Sequence, residues 1–295
     1  MYDPDLIITA ENRAAVANAL GLDPATNLVT LANIYHNGLP RTIDAVTAWA
    51  AQHMAAPARQ HYRTGIVGRA VRRGDAVMMV GPAGCGKTTI GEHIAQAMCL
   101  PMFVTSAIND AHELTGYIDG YGKYHPTPFR HAFENGGVWI ADEIDAWDAP
   151  ALLSANSALA NGFAPFPDAD TPIRKHENFR AIATANTFGT GADRVYVGRS
   201  ELDAASLDRF AVITVDYDID LERMMARGED AWLDYVWQTR KVVQEKRIRH
   251  VVSSRAINMG ARALRDGEQW DDVAEMYLLK GMSSQDRSKL NVVPE

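Results

Sequence analysis

Five short apolar runs punctuate the middle of the chain, at residues 75–80, Met102 to Thr105, Gly137 to Ala141, Phe179 to Ala185 and Phe210 to Val215. Each is rich in β-branched or aromatic residues, and most are separated by helix-like or loop-like stretches. That pattern predicts buried strands of a mostly parallel sheet covered by helices. After the first run, Ile90, Ile94 and Met98 recur at helical spacing. Beyond residue 216 the strand pattern stops. Trp232, Val236, Thr239 and Val243 form one helical stripe, Ser254 can cap a second helix through Leu264 that ends near Gly267, and Trp270 to Lys280 reads as a third. Ser283 to Glu295 is polar and is expected to fray. At the other end, Glu11 to Leu20 is alanine-rich and stops at Gly21 with Pro24 following; Leu28 to His36 and Thr42 to His53 are further short helical patterns. The expected organisation is a small helical module over 1–60, an α/β core over 61–216, and a helical lid and tail over 217–295.

Chemistry enters between the first run and its helix. Gly81-Pro82-Ala83-Gly84-Cys85-Gly86-Lys87-Thr88 is a complete G-x-x-x-x-G-K-[ST] phosphate-binding loop in the strand–loop–helix setting that the motif needs. Its glycines let backbone N–H groups turn inward around phosphate oxygens, and the helix N-terminus adds positive potential. Lys87 is expected to neutralise the β/γ-phosphates and the Thr88 hydroxyl to ligate Mg²⁺, with Thr89 among the residues that hold the nucleotide. Cys85 lies in the variable part of the loop and reads as a spacer. The loop makes the chain a P-loop NTPase and calls for ATP and Mg²⁺.

The third apolar run ends in Asp142-Glu143. Parallel strands deliver ligand-binding groups at their carboxyl ends, so Asp142 is expected to hold Mg²⁺ through its water shell. Glu143 is expected to polarise the attacking water. Taken alone the pair would be as consistent with a plain strand end; the upstream phosphate loop decides. Asn186, directly after the fourth run, is a candidate to orient water and touch the γ-phosphate. Leu207-Asp208-Arg209-Phe210 puts an arginine just before the fifth run, where it would stabilise transition-state charge beside a neighbour's γ-phosphate. Arg255, opening the helix at Ser253-Ser254-Arg255-Ala256, can reach the nucleotide from the other side.

The ordered set of phosphate loop, Asp-Glu strand, strand-end Asn, Leu-Asp-Arg-Phe and Ser-Arg-Ala resembles the AAA+ ATPases. It fits the MoxR branch, which includes the ATPase subunit of cobaltochelatase. The resemblance covers roughly residues 61–266. It implies Walker A at Lys87 and Thr88, Walker B at Asp142 and Glu143, sensor 1 at Asn186, an arginine finger acting in trans at Arg209 and a sensor 2 arginine at Arg255. It also implies a ring, usually a hexamer, with sites between subunits, coupled to remodelling of a partner protein. Two segments fit this branch. Thr115 to His125 alternates Gly and Tyr, which suits either a mobile loop that grips a partner chain in a pore or a surface loop whose tyrosines pack locally. Phe163 to Asn178 resembles the pre-sensor hairpin, although Pro165, Pro167 and Pro172 limit strand pairing.

Composition narrows the rest. A net charge of −8 argues against duplex nucleic acid as the main partner. Two basic stretches, Arg59 to Arg73 and Arg240 to Arg249, read first as solvated or intersubunit faces, with a nucleic-acid channel the less favoured reading. Two cysteines give no disulfide framework and fit a reducing cytoplasm, no apolar run approaches a membrane span, and the acidic N-terminus is unlike a secretory signal. Arg199 reads equally as a second interfacial arginine or a loop residue. His112-Glu113 lacks a histidine one turn on, no Cys/His set has zinc spacing, and no Asp-x-Ser-x-Ser adhesion motif is present. Rival readings are the motor subunit of a metal chelatase, a nucleic-acid translocase or restriction-type motor, and a small-molecule kinase.

Overall fold

The computed structural model describes residues 59–189, 191, 199–202 and 204–290. The helical module expected over 1–60 lies almost wholly outside them. In chain order, α1 (Thr64–Arg73) leads to β1 (Val77–Val80), and α2 (Lys87–Ala97) to β2 (Met102–Thr105). Next come α3 (Ala111–Thr115) and a hairpin of β3 (Tyr117–Ile118) with β4 (Tyr124–His125). The chain continues through α4 (Pro128–Asn135), β5 (Gly137–Ala141), α5 (Ala149–Asn161) and a second hairpin of β6 (Phe163–Ala164) with β7 (Ile173–Arg174). Then follow β8 (Phe179–Ala185), α6 (Ala204–Leu207) and β9 (Ala211–Thr214).

Five of these strands form one sheet in the order β2-β5-β8-β1-β9, with every neighbouring pair parallel. They coincide with the five apolar runs, trimmed by a residue or two where the ends pass into turns. For the three inner strands the reason is burial on both faces, whereas the edge strands β2 and β9 are only partly covered. Met78, Val80, Trp139, Ala141, Ala181 and Ala183 join one core cluster, whereas Val77, Met79, Val138, Ile140 and Ile182 join another. The alternation of period two thus feeds two cores, and a strand apolar at every position is what a doubly covered parallel sheet requires. The first cluster is aromatic: Phe129, Phe133, Trp139 and Phe179 stack or tilt at centroid distances of 4.8–6.3 Å.

After β9 the described chain is helical: α7 (Ile219–Ala226), α8 (Asp230–Glu245), α9 (Ser254–Arg265), α10 (Trp270–Val273) with a π-helical turn at Ala274–Leu278, and α11 (Ser284–Arg287). A third cluster, built on Trp232, Val236, Ile257, Ala261 and Val273, holds them together. At the crossing of α8 and α9, a Cβ on Gly260 would lie 2.3 Å from the Trp232 indole, so only glycine allows the helices to approach. No helix among the described residues is long and apolar enough to cross a membrane.

Four expectations are corrected here. The sequence pattern missed α7, which Asp218 caps by accepting from the backbone N–H of Asp220 and Leu221. The third lid helix, expected over Trp270 to Lys280, is one α-turn passing into a π-turn. Within the tail expected to fray, Ser283 caps α11 and Arg287 pairs with Glu275. Arg240, grouped with a solvated basic stretch, is buried in the lid, where its guanidinium pairs with Glu222 at 2.6 Å.

Candidate functional site

The phosphate loop leaves β1 under tight packing. A Cβ on Gly81 would lie 1.7 Å from the Val215 carbonyl oxygen, and Gly84 and Gly86 hold φ of 74° and 95°. Glycine is therefore required by space at the first position and by backbone conformation at the other two. The loop then enters α2 at Lys87. Cys85 is buried, burial pushes its thiol pKa up, and its Sγ donates weakly to the Val215 carbonyl at 3.7 Å.

Lys87 is itself buried. Its Nζ donates to the carbonyls of Gly81 (2.7 Å) and Pro82 (3.0 Å) and to Oδ1 of Asn186 (2.9 Å). Burial draws its pKa below the ordinary value, against the pull of Cys85, Asp142, Asp145 and Glu143. The ammonium thus lies in the cleft wall, held by three oxygens.

Opposite, Asp142 at the carboxyl end of β5 accepts from Thr88 Oγ1 at 3.2 Å and from Thr184 Oγ1 at 2.6 Å. The Thr184 hydroxyl in turn accepts from the Glu143 N–H at 3.0 Å. Glu143 adopts φ 53°, in the left-handed region, which turns its carboxylate away from the strand direction. That carboxylate accepts from Asn186 Nδ2 at 3.4 Å and pairs with Arg199 at 3.2 Å. Asp145 lies beneath it with no exposure; it accepts from the backbone N–H of Asn186 and Thr187 at 3.0 Å each and faces Arg199 at 3.4 Å.

Lys87, Thr88, Asp142, Glu143, Thr184 and Asn186 line one cleft of about 270 Å³ between the sheet and the lid, and Asp145 and Arg199 support Glu143 and Asn186 from outside it. Lys87, Thr88, Thr89, Asp142, Glu143 and Asn186 supply the sheet side; Glu222, Ser254 and Arg255 supply the lid side. Arg209 is not among them. It lines a separate cleft of about 220 Å³ with Ala76, Lys175 and Phe179. The topology explains the separation: the phosphate loop follows the carboxyl end of β1, Arg209 precedes the amino end of β9, and β1 and β9 pair in parallel. Four residues in register set the two groups roughly 10 Å or more apart along the sheet.

Sequence reasoning missed Thr184, Asp145 and His61. Thr184 carries a signal in hindsight, a hydroxyl in an otherwise apolar strand two residues before Asn186. His61 lies in the cleft wall, where Nδ1 accepts from the Arg63 N–H at 3.1 Å and Nε2 therefore donates to the Asp216 carbonyl at 2.8 Å. Nothing in the local sequence marks it, because the partner that ties it to the cleft, Asp216, lies beyond β9. Arg199, left open between interface and loop, contacts Glu143 and Asp145 of its own chain.

A parallel sheet with a phosphate loop at the end of the inner strand β1, an Asp-Glu pair at the end of β5, separated from it by β8, and a helical lid across the cleft define a P-loop nucleotide hydrolase. Residues 76–210 match the family described as AAA domain (dynein-related subfamily). The chain is 25% identical over 176 residues to the aerobic cobaltochelatase subunit CobS of Sinorhizobium sp, a match covering 52% of this chain and 51% of that protein. It is 23% identical over 218 residues to the denitrification regulatory protein NirQ of Stutzerimonas stutzeri, covering 68% and 75%. The fold likeness extends to NtrX from Brucella abortus, solved in complex with ADP, with a TM-score of 0.51 at 14% identity over 83% of this chain and 62% of that one. The chain thus spans about half the length of the cobaltochelatase subunit. Residues 76–210 thus match an AAA domain with a phosphate-binding loop, and the chain is similar to CobS and NirQ.

Proposed function

We propose that the protein is an ATP-driven motor that assembles as a ring, most simply of six subunits, and uses hydrolysis to remodel or activate a partner protein complex. The observation that carries this reading is the separation of Arg209 from the phosphate loop of its own chain. A cleft without Arg209, with that arginine at the far end of the sheet, is what a head-to-tail interface would complete.

Within the cleft the roles follow from the contacts. The loop from Gly81 to Thr88, with Thr89, cradles the phosphates, and Lys87 exchanges its carbonyl partners for β/γ-phosphate oxygens. Glu143, steadied through Asn186, takes the role of polarising the attacking water. Arg255 approaches from the lid, and Arg209 reaches the γ-phosphate of the next subunit. The donor set fits Mg²⁺: a hydroxyl and a carboxylate, both hard oxygen ligands, lie 3.2 Å apart in Thr88 and Asp142. When bound, that ion would neutralise and align the β/γ-phosphates.

The β3–β4 hairpin supports a partner-gripping role in part. Tyr121 at its tip is 99% exposed. Tyr124 is not available, since its hydroxyl donates to the Thr115 carbonyl at 2.6 Å and its ring meets Arg130. Similarity to CobS favours a chelatase motor as the second reading, which requires a partner that supplies the metal and macrocycle sites. Assembly tests the proposal. Light scattering on Glu143→Gln protein should show nucleotide-dependent growth to a ring with ATP; a strictly monomeric particle at micromolar concentration would contradict it.

A further inference from the structure

The sheet and the lid have separate hydrophobic cores, so something other than a shared core must fix how the lid sits on the phosphate loop. One chain of contacts does so. Tyr217 packs against the sheet cluster that contains β1 and α2, and its hydroxyl donates to the Ala83 carbonyl of the phosphate loop at 3.1 Å. Over the other face of its ring lies the Arg240 guanidinium, 3.8 Å from the centroid. Arg240 belongs to the lid: Nε donates to the Val252 carbonyl at 2.9 Å, and both terminal nitrogens grip Glu222, at 2.9 and 2.6 Å.

Glu222 is 1% exposed, and its carboxylate is saturated. Besides Arg240 it accepts from Trp237 Nε1 at 2.7 Å and from Ser254 Oγ at 2.6 Å. Ser254 opens α9, and the next residue is Arg255, in the cleft wall. A buried ion pair with every site filled adds little net stability over apolar packing, but it admits one geometry. A buried carboxylate with no local sequence partner is here spent on holding the first turn of one helix.

We propose that Tyr217 and Arg240 are positioning residues that couple the phosphate loop to Arg255. Filling of the loop shifts the Ala83 carbonyl; Tyr217 follows it, and the Arg240–Glu222–Ser254 cluster passes the shift to α9 as a unit. This rests on the reading of Arg255 as a nucleotide-contacting group, and the test separates the two. Tyr217→Phe keeps the ring beneath Arg240 and removes only the bond to Ala83. Its kcat for ATP should fall about fivefold, the factor that about 1 kcal/mol makes in a rate, with the Kd for ATP within about twofold of wild type. In an Arg255→Ala background the same change should lower kcat no further, because the relay then ends on nothing. A purely structural role would instead lower the melting temperature and multiply with Arg255→Ala. An unchanged kcat in Tyr217→Phe, or an undiminished effect in the double variant, overturns the coupling. Wild-type kcat in Arg255→Ala itself would overturn the reading of Arg255 and the coupling with it. Arg240→Lys keeps the charge but loses the fork and should behave as Tyr217→Phe does; where it fails to fold, the Tyr217 variants decide.

Discussion

At the scale of single residues, the proposed mechanism gives Lys87 to binding and Glu143 to chemistry. Lys87 is held by three oxygens that phosphates replace, so Lys87→Ala should weaken ATP binding by a factor of ten or more, about 1.4 kcal/mol, because the cleft loses its fixed cation. Glu143→Gln leaves the cradle intact and should bind ATP as wild type does while hydrolysing it at least a hundredfold more slowly, in line with a lost general base. Filter binding and single-turnover hydrolysis measured separately on both variants check this, and equal loss of binding in the two would refute the division. Thr184 is a further case. Its hydroxyl both donates to Asp142 and accepts from the Glu143 N–H. Thr184→Val leaves that N–H without its partner and should cost roughly 1–3 kcal/mol of stability, read by denaturant unfolding, whereas Thr184→Ser should recover most of it.

At the scale of elements, the inner strands were legible because a doubly buried parallel strand is apolar at every position, and the phosphate loop because its backbone geometry restricts which residues can stand there. The lid was half legible. Helices α8 and α9 carry clear apolar stripes, but α7, with Asp220, Glu222 and Arg223 among its apolar residues, gives no clean periodicity. Glu222 and Arg240 were invisible as a pair, since they lie on different helices and the sequence shows each only as a charge. Asp145 and Arg199 escaped for the same reason: their meaning is in a contact between distant segments. Element-scale packing gives two predictions. Gly260→Ala should destabilise the lid by roughly 1–3 kcal/mol, since the new methyl group must displace the Trp232 indole. In the β3–β4 hairpin, Tyr121→Ala should leave folding and basal ATPase unchanged and abolish partner-stimulated activity. Tyr124→Ala should instead loosen the hairpin, a difference that hydrogen exchange on Thr115 to His125 can read.

At the scale of the whole molecule, one topological fact shapes the account. A parallel sheet sends its phosphate loop to one end and the residues before its strands to the other, so the cleft and Arg209 of one chain face away from each other. In the proposed assembly a single chain binds nucleotide, and two chains in head-to-tail contact would make the hydrolytic site. Rotation of that contact about a closed axis yields a ring, and the exposed hairpin of each subunit then repeats around it.

Mixing inactive subunits tests the central claim most directly. Arg209→Ala protein should bind ATP and hydrolyse it poorly, and Lys87→Ala protein should fail at binding. Combined in rings shown to contain both, an intact phosphate loop of one subunit meets an intact Arg209 of the next, and ATPase activity should return in part, rising to a maximum at an intermediate mixing ratio. Mixed rings that form but show no rescue at any ratio would contradict an arginine acting across the interface.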